Sequence, residues 1–359
     1  MFIYILLAFI IASAAIKENG YVNRRSQHAF AFCLFIFLLV VGLRYNKGDY
    51  GTYEYGYNNN IDVGGDTGYY IIQCFFHNLG ISFQLFVFLI TLVSVFAFKK
   101  VFSLGSWRAF GMVIILGKFF TLYAMSGIRQ YMAMFVCWLA IVELLNNNRK
   151  LLFIALVLLA YTLHGSAIIM LPVIFLRGFK FSYANGSFLL LLSFIIGLGS
   201  NQFFESISDF SDFIDFRFGS YYYDTLQGDG EAMNVLNYAE NFLFLLFALI
   251  VRKKALKEFV YYDFFLYLFI IYCGFLIVGN EVGIVKRLRD YYAISYAFIV
   301  PYFPLLFSDK PFRKISKVIF IGYFVFLMFR SLSVYDSALS TDNHSRMVPY
   351  SSVFVLINK

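Results

Sequence analysis

The stretch FAFCLFIFLLVVGL, Phe30 to Leu43, is apolar almost throughout, and similar runs recur along the whole chain. Hydrophobic residues make up 61% of the 359 residues and charged residues only 14%, whereas an ordinary soluble domain carries roughly a quarter charged residues. Repeated apolar runs of membrane-spanning length predict an all-α, polytopic integral membrane protein, with a single helical bundle over residues 1–359. Because the runs are continuous rather than alternating, they disfavour a β-barrel.

About twelve transmembrane helices are predicted, several of them shorter than the usual ~20 residues. The predicted spans are 2–16, 28–43, 82–98, 109–124, 128–145, 151–163, 165–176, 186–199, 235–251, 259–279, 291–307 and 318–333. One interpretation of the closely spaced pair 151–163 and 165–176 is a break inside the membrane.

Lysines and arginines cluster in alternate connections, which all fall on one side if the helices alternate in direction. The clusters are Lys17, Arg24 and Arg25; Lys99, Lys100 and Arg108; Arg149 and Lys150; Arg177 and Lys180; Arg252, Lys253, Lys254 and Lys257; and Lys310, Arg313, Lys314 and Lys317. The positive-inside rule makes this side cytoplasmic, so both termini are expected on the outer, periplasmic side.

Two connections on the outer side are long, namely 44–81 and 200–234, and both are rich in acidic and aromatic residues. Aromatic residues among polar ones predict short amphipathic helices lying at the membrane interface. For 200–234 a plain solvated loop is the alternative.

A minority of cations break the charge rule, and the sharpest cluster lies in NEVGIVKRLRDYY, Asn280 to Tyr292. Arg287 and Arg289 lie there between two apolar runs, on the side that should lack cations. Charges at membrane depth are costly and indicate function by default. Arginine forks bind phosphate oxygens bidentately, so this pair suits a diphosphate; snorkelling to lipid headgroups is the alternative.

Two further polar sites lie on the same predicted outer side. In SGIRQYMA, Ser126 to Ala133, Arg129 stands at the start of an otherwise apolar helix, either as a second phosphate contact or as an interfacial anchor. In YTLHGSAIIMLP, Tyr161 to Pro172, His164 separates two apolar segments. It is a candidate proton acceptor or hydrogen-bond donor, or else a packed polar residue.

Several chemistries lack their sequence patterns. There is no P-loop, no dinucleotide-binding glycine motif, no HExxH and no cysteine–histidine metal pattern. No metal site, cofactor or nucleic-acid partner is therefore expected. Membrane lipids are the expected surroundings.

Four short motifs occur in order along the chain: R-x4-D-Y-x2-Y at Arg44–Tyr53, SGIRQ at Ser126–Gln130, HGSA at His164–Ala167 and RLRDYY at Arg287–Tyr292. Together they resemble the EpsG branch of the Wzy-type polysaccharide polymerases. The resemblance implies a multi-pass glycosyltransferase of the bacterial cytoplasmic (inner) membrane that polymerises O-antigen or exopolysaccharide repeat units at the outer face. It implies a growing glycan on undecaprenyl diphosphate as donor, the non-reducing end of a second lipid-linked repeat unit as acceptor, and a chain-length regulator as a further partner.

A diphosphate leaving group needs cations where its charge develops, and arginines supply them without a metal. The predicted diphosphate ligands are Arg44, Arg129, Arg287 and Arg289. An acceptor hydroxyl needs a base or a hydrogen-bond acceptor, and the catalytic candidates are Asp49, His164 and Glu281. Tyrosines stack on sugar faces, and the predicted sugar-binding residues are Tyr50, Tyr53 and Tyr55.

Three other functions compete with polymerisation. An O-antigen ligase-like enzyme would use the same donor with a lipid A core acceptor and similar arginines. A lipid-linked oligosaccharide flippase would line a path across the membrane with polar groups, whereas here the unusual charges collect at one face. An acyltransferase using His164 would need a second catalytic partner that the apolar helices do not offer.

Overall fold

The computed structural model describes residues 1–45, 47–198, 235–279, 283–338, 347–348 and 350–352. These residues form fourteen α-helices joined by short 3-10 and π-helical segments, and they include no β-strand. The predicted all-α class is thereby confirmed. The long connection 200–234 and Glu281 lie outside the described residues.

The α-helices are numbered in chain order. They are α1 (Phe2–Lys17), α2 (Arg24–Gly42), α3 (Tyr50–Asn58), α4 (Thr67–Asn78), α5 (Phe83–Val101), α6 (Arg108–Phe119), α7 (Ile128–Asn147), α8 (Lys150–Leu163), α9 (Tyr183–Leu198), α10 (Val235–Ala255), α11 (Tyr262–Gly279), α12 (Gly283–Asp290), α13 (Ile294–Ile299) and α14 (Lys310–Ala338).

Six of the described helices are long and apolar enough to cross a membrane. They are Arg24–Gly42, Phe83–Leu104, Ile128–Asn147, Val235–Ala255, Tyr262–Gly279 and Lys310–Val334. Four shorter apolar helices, of 10–17 residues, are Phe2–Lys17, Lys150–Leu163, Gly165–Leu176 and Tyr183–Leu198. The chain is therefore a multi-pass helical membrane protein, and the count of twelve spans stays a prediction.

The described residues divide into two compact units, Met1–Leu171 with Asp309–Lys359, and Pro172–Ser308. In the first unit α1 packs on α2, α6 and α14, while α5 packs on α2 and α7. Among the long apolar helices of that unit, α7 is the most enclosed, and it also packs on α8. In the second unit α11 is central and contacts α9, α10, α12 and α13.

The C-terminal end of α2 is closed by side chains. A helix leaves its last four carbonyls without intrahelical partners, and here the Leu43 amide donates to Leu39 O at 3.2 Å. The next three carbonyls accept from side chains: Val40 O from Tyr350 Oη (2.9 Å), Val41 O from Arg44 Nη1 (2.6 Å) and Gly42 O from Gln84 Nε2 (2.9 Å). A cation at this end also complements the helix dipole.

The connection from α6 to α7 is irregular. Residues Phe120–Ala124 form a π-helical turn, and α7 begins at Ile128. Single π-helical turns occur frequently at functional sites. This turn brings the SGIRQ motif to the start of α7.

The chain changes from α-helix to 3-10 helix after α8, and the position of this change relative to the membrane stays a prediction. His164 has an extended backbone, with φ −161° and ψ 117°, and ends α8. A 3-10 helix, Gly165–Leu176, follows and contains Pro172. The HGSA motif therefore includes the start of this 3-10 helix, where the first backbone amides lack partners within the helix and are available to side chains.

Candidate functional site

Residues 47–81, which lie in the first predicted outer segment, fold as a helical hairpin of α3 and α4. Asp62 Oδ1 accepts hydrogen bonds from the amides of Gly64 (3.1 Å) and Gly65 (2.5 Å), which is an Asx-type turn. The side-chain Nε2 of Gln73 donates to Gly56 O (3.1 Å) and to Ile61 O (3.0 Å). These bonds fix the turn that leads into α4.

The loop before α3 folds back onto the SGIRQ motif. Gly48 has φ +57°, and a Cβ placed there would lie 2.6 Å from Ser126 Oγ. The next amide, that of Asp49, donates to the same Ser126 oxygen at 3.2 Å. Only glycine reaches this left-handed conformation at so close an approach without strain. The first and second motifs of the sequence therefore touch.

Arg129 is the cation that the hairpin holds. Its Nη1 donates to Asp66 Oδ2 at 2.6 Å, and the side chains of Arg129 and Asp66 are only 13% and 9% exposed. Its Nε donates to Tyr53 Oη at 3.4 Å, and its Cζ lies 5.7 Å from the centre of the Tyr53 ring. The guanidinium also lies against Gly64, where a Cβ would be 1.7 Å from Nη1. Arg129 is thus fixed on three sides.

Asp66 joins Arg129 to the HGSA motif. Its second carboxylate oxygen, Oδ1, accepts from the Gly165 amide at 3.3 Å. Next to Gly165, His164 Nδ1 and Ser166 Oγ are hydrogen-bonded at 2.6 Å. The structure therefore joins Arg129, a predicted site residue, to the backbone next to His164, another predicted site residue, through one carboxylate.

Helix α4 also carries Tyr69, one turn after Asp66. Its ring packs edge-on against Tyr53, with centroids 5.9 Å apart, and its hydroxyl is buried without a hydrogen-bond partner among the described residues. Burial raises the pKa of Tyr69, while the charges of Arg129 and Arg44 oppose that rise. The hydroxyl therefore lies in the electrostatic field of both guanidinium groups.

Arg44 is buried, with 3% of its surface exposed, and its Nη1 caps α2 as described above. Its Nε is buried and has no hydrogen-bond partner within the described part of the chain. Burial lowers the pKa of Arg44, and electrostatic interactions with surrounding tyrosines, of which Tyr131 is the strongest, oppose that shift. Arg44 therefore has a structural role through Nη1, while its buried Nε has no partner among the described residues.

The three tyrosines predicted to bind sugar have different surroundings. Tyr50 is buried and donates to Gln84 Oε1 at 2.9 Å, and Tyr53 is buried beside Arg129. Tyr55 is 63% exposed on the same helix, and Asp49 is exposed at the helix start. Among these residues, Tyr55 and Asp49 are the ones open to a large ligand.

The cations of the RLRDYY motif lie in the second unit. Arg289 is buried, its Cζ is 5.0 Å from the centre of the Tyr272 ring, and its Nε donates to Asp290 Oδ1 at 3.2 Å. Arg287 is half-buried on the same helix, α12. Arg289 therefore resembles Arg129 in being a guanidinium that rests on a tyrosine ring and pairs with a carboxylate.

The residues described contain no group of three or more His, Cys, Asp or Glu side chains placed to hold a metal ion. Within the first unit, the side chains of Arg129, His164, Tyr53 and Asp66 are hydrogen-bond donors and acceptors of the kinds that bind phosphate and sugar hydroxyls.

Asp66, Gly64 and Tyr69 were not predicted as site residues. Asp66 immediately precedes the amphipathic segment that becomes α4, and an aspartate in that position is usually a helix cap. The sequence pattern that could have identified Asp66 is an acidic residue beside two glycines on the predicted outer side. This pattern does not distinguish Asp66 from the other carboxylates of the same segment.

The family model described as the EpsG family matches residues 28–352, which is nearly the whole chain and includes all four motifs. No curated protein and no solved structure matches the chain significantly.

Proposed function

This chain belongs to the EpsG family, and from that premise we propose that it polymerises polysaccharide repeat units at the outer face of the bacterial cytoplasmic membrane. The donor is a growing glycan on undecaprenyl diphosphate, and the acceptor is the non-reducing end of a second lipid-linked repeat unit. The observation that carries the proposal is the Arg129–Asp66–Gly165 connection, which joins the SGIRQ and HGSA motifs in one partly buried polar cluster. Tyr53 of the first motif contacts the same Arg129 side chain.

In the proposed reaction an acceptor hydroxyl attacks C1 of the donor sugar that is bonded to the diphosphate. The new O–C1 bond forms as the C1–O bond to the diphosphate breaks, and the electron pair leaves with the diphosphate. The hydroxyl proton passes to a protein base or to solvent. Since negative charge builds up on the leaving diphosphate, fixed cations there lower the barrier.

Arg129 is the first proposed ligand of the diphosphate. A guanidinium has five N–H donors, and its fixed orientation against Tyr53 and Gly64 reduces the reorganisation needed when substrate arrives. Arg287 and Arg289 are proposed to bind phosphate as well. Arg44 is a further candidate through its buried Nε, which has no hydrogen-bond partner among the described residues.

His164 and Asp49 are the proposed acceptors for the hydroxyl proton. The His164 ring is held through Nδ1 by Ser166, and a hydrogen bond at one ring nitrogen sets the tautomer at the other. Asp49 is exposed at the start of α3, near Tyr53. Glu281 stays a prediction from the sequence. Tyr55, exposed on α3, is the proposed stacking surface for sugar.

Complementation of a polymerase-null strain tests the proposal. Arg129→Ala and His164→Ala, expressed at the wild-type level, should give no polysaccharide ladder and leave a single repeat unit on the acceptor core. Lys150→Ala removes an exposed cation in the same unit and should leave the ladder intact. Loss of even the single repeat would indicate a ligase instead. A full ladder from Arg129→Ala would contradict the site.

A further inference from the structure

The sequence did not predict a role for Asp66, and the proposed reaction does not use it. One carboxylate oxygen accepts from the Arg129 side chain at 2.6 Å, and the other accepts from the Gly165 amide at 3.3 Å. These partners are 63 and 99 residues away in the sequence. Asp66 therefore connects Arg129, the proposed phosphate ligand, to the backbone beside His164, the proposed acceptor of the hydroxyl proton.

The link is rigid for three physical reasons. The Arg129–Asp66 pair is largely desolvated, at 13% and 9% exposure, and a charge-assisted hydrogen bond is stronger there than in water. Asp66 stands at the start of α4, where the helix dipole favours a carboxylate. Helix α4 packs closely on α8 at Gly68, since the space there is so narrow that a Cβ would lie only 2.2 Å from Thr162 Oγ1.

We propose that Asp66 is a positioning residue of the glycosyl transfer, holding Arg129 and the His164 loop at a fixed separation. The inference rests on the proposed function and adds a residue to it. Asp66 also acts as an internal counter-anion, because it neutralises Arg129 before substrate binds. An incoming phosphate oxygen binds the Arg129 guanidinium beside Asp66. The bond from the Gly165 amide to Asp66 meanwhile keeps the His164 loop in place.

This role makes a prediction that separates it from simple structural support. Asp66→Asn keeps an oxygen acceptor and removes the negative charge that competes for Arg129. Binding of an isoprenoid diphosphate should therefore be unchanged or up to about tenfold tighter, since one charge-assisted bond corresponds to about a tenfold change in affinity. Turnover should fall by about tenfold or more, because geometry at the reacting atoms is lost.

The experiment uses the purified full-length protein in detergent. Binding of farnesyl diphosphate, and of inorganic diphosphate as the arm that lacks the lipid, is measured for wild type, Asp66→Asn, Asp66→Glu and Glu54→Gln. Turnover is measured with lipid-linked repeat units. Glu54→Gln is the matched control, since Glu54 is a half-exposed carboxylate on the neighbouring α3. Asp66→Glu, which keeps the charge, should restore part of the turnover.

Two results would overturn the inference about Asp66 alone, and a third would overturn it together with the proposed function. If wild type polymerises and Asp66→Asn polymerises at the same rate, Asp66 positions nothing and the proposed function stands. If Asp66→Asn loses binding, turnover and thermal stability in parallel, its role is structural only. Absence of polymerisation by wild type contradicts the proposed function itself, and the Asp66 role falls with it.

Discussion

Substitution of Gly64 by alanine displaces Arg129 without removing any charge from the site. A Cβ at Gly64 would lie 1.7 Å from Nη1, 2.2 Å from Cζ and 2.3 Å from Nη2 of Arg129. Carbon and nitrogen atoms in contact are normally about 3.5 Å apart, so the guanidinium must retreat by about 1.5–2 Å. The colliding atoms are the end of a flexible side chain, which makes movement of Arg129 the expected response rather than unfolding.

The size of the effect follows from the ion pair. The Arg129–Asp66 bond is 2.6 Å long, and a retreat of about 1.5–2 Å takes it beyond hydrogen-bonding distance. A hydrogen bond to a charged group contributes about 1.5–3 kcal/mol. Expressed on the activation free energy, that loss is about a 10- to 100-fold decrease in turnover.

The assay is polymerisation of lipid-linked repeat units by purified Gly64→Ala, beside its thermal unfolding midpoint. Gly322→Ala is the matched control, since a Cβ at Gly322 meets no atom within 4 Å. We expect normal turnover from the control and a decrease of about 10- to 100-fold from Gly64→Ala, with a small change in midpoint. Wild-type turnover from Gly64→Ala would refute the reasoning that the position of Arg129 matters.

Three further predictions concern stability. Burial raises the pKa of Glu18 from 4.5 to about 7. The contribution of protonated Glu18 to the free energy of unfolding is therefore fully present below pH 4.5 and is lost as pH rises through 7. Wild type should lose up to about 3 kcal/mol between pH 4.5 and 7 relative to Glu18→Gln in thermal unfolding. Gly68→Ala should lower the unfolding midpoint, because its Cβ would lie 2.2 Å from Thr162 Oγ1 and 2.9 Å from the Thr162 carbonyl carbon. Arg252→Lys should cost about 1–3 kcal/mol, since lysine cannot reproduce the two bonds of 2.6 and 2.8 Å to Asp263; an unchanged midpoint would contradict this.

The long apolar helices could be predicted from the sequence because continuous hydrophobic runs mark them, but their ends follow local chemistry. Helix α2 was predicted from residue 28 and begins at Arg24, since Asn23 and Ser26 form a capping box. The predicted span 291–307 is a short α-helix between 3-10 segments, of which the second contains Pro301 and Pro304. Proline lacks the amide donor that a continuous helix needs.

The candidate site was readable in part. Charge placement on the predicted outer side selected Arg129 and His164, and the structure connects the two segments. Asp66 was missed because its significance lies in contacts across 63 and 99 residues of sequence, which no local pattern encodes. Arg44 was selected as a phosphate ligand, and its bond to Val41 gives it a second, structural role that follows from the unsatisfied carbonyls of α2.

The most direct test of the central proposal is extension of a glycan by the purified protein. Lipid-linked repeat units are incubated with wild type and with Arg129→Ala, and both glycan length and released undecaprenyl diphosphate are measured. The proposal predicts longer glycans, with one undecaprenyl diphosphate released per transfer by wild type and neither product from Arg129→Ala. Equal extension by both proteins would contradict the site, and no extension by wild type would contradict the function.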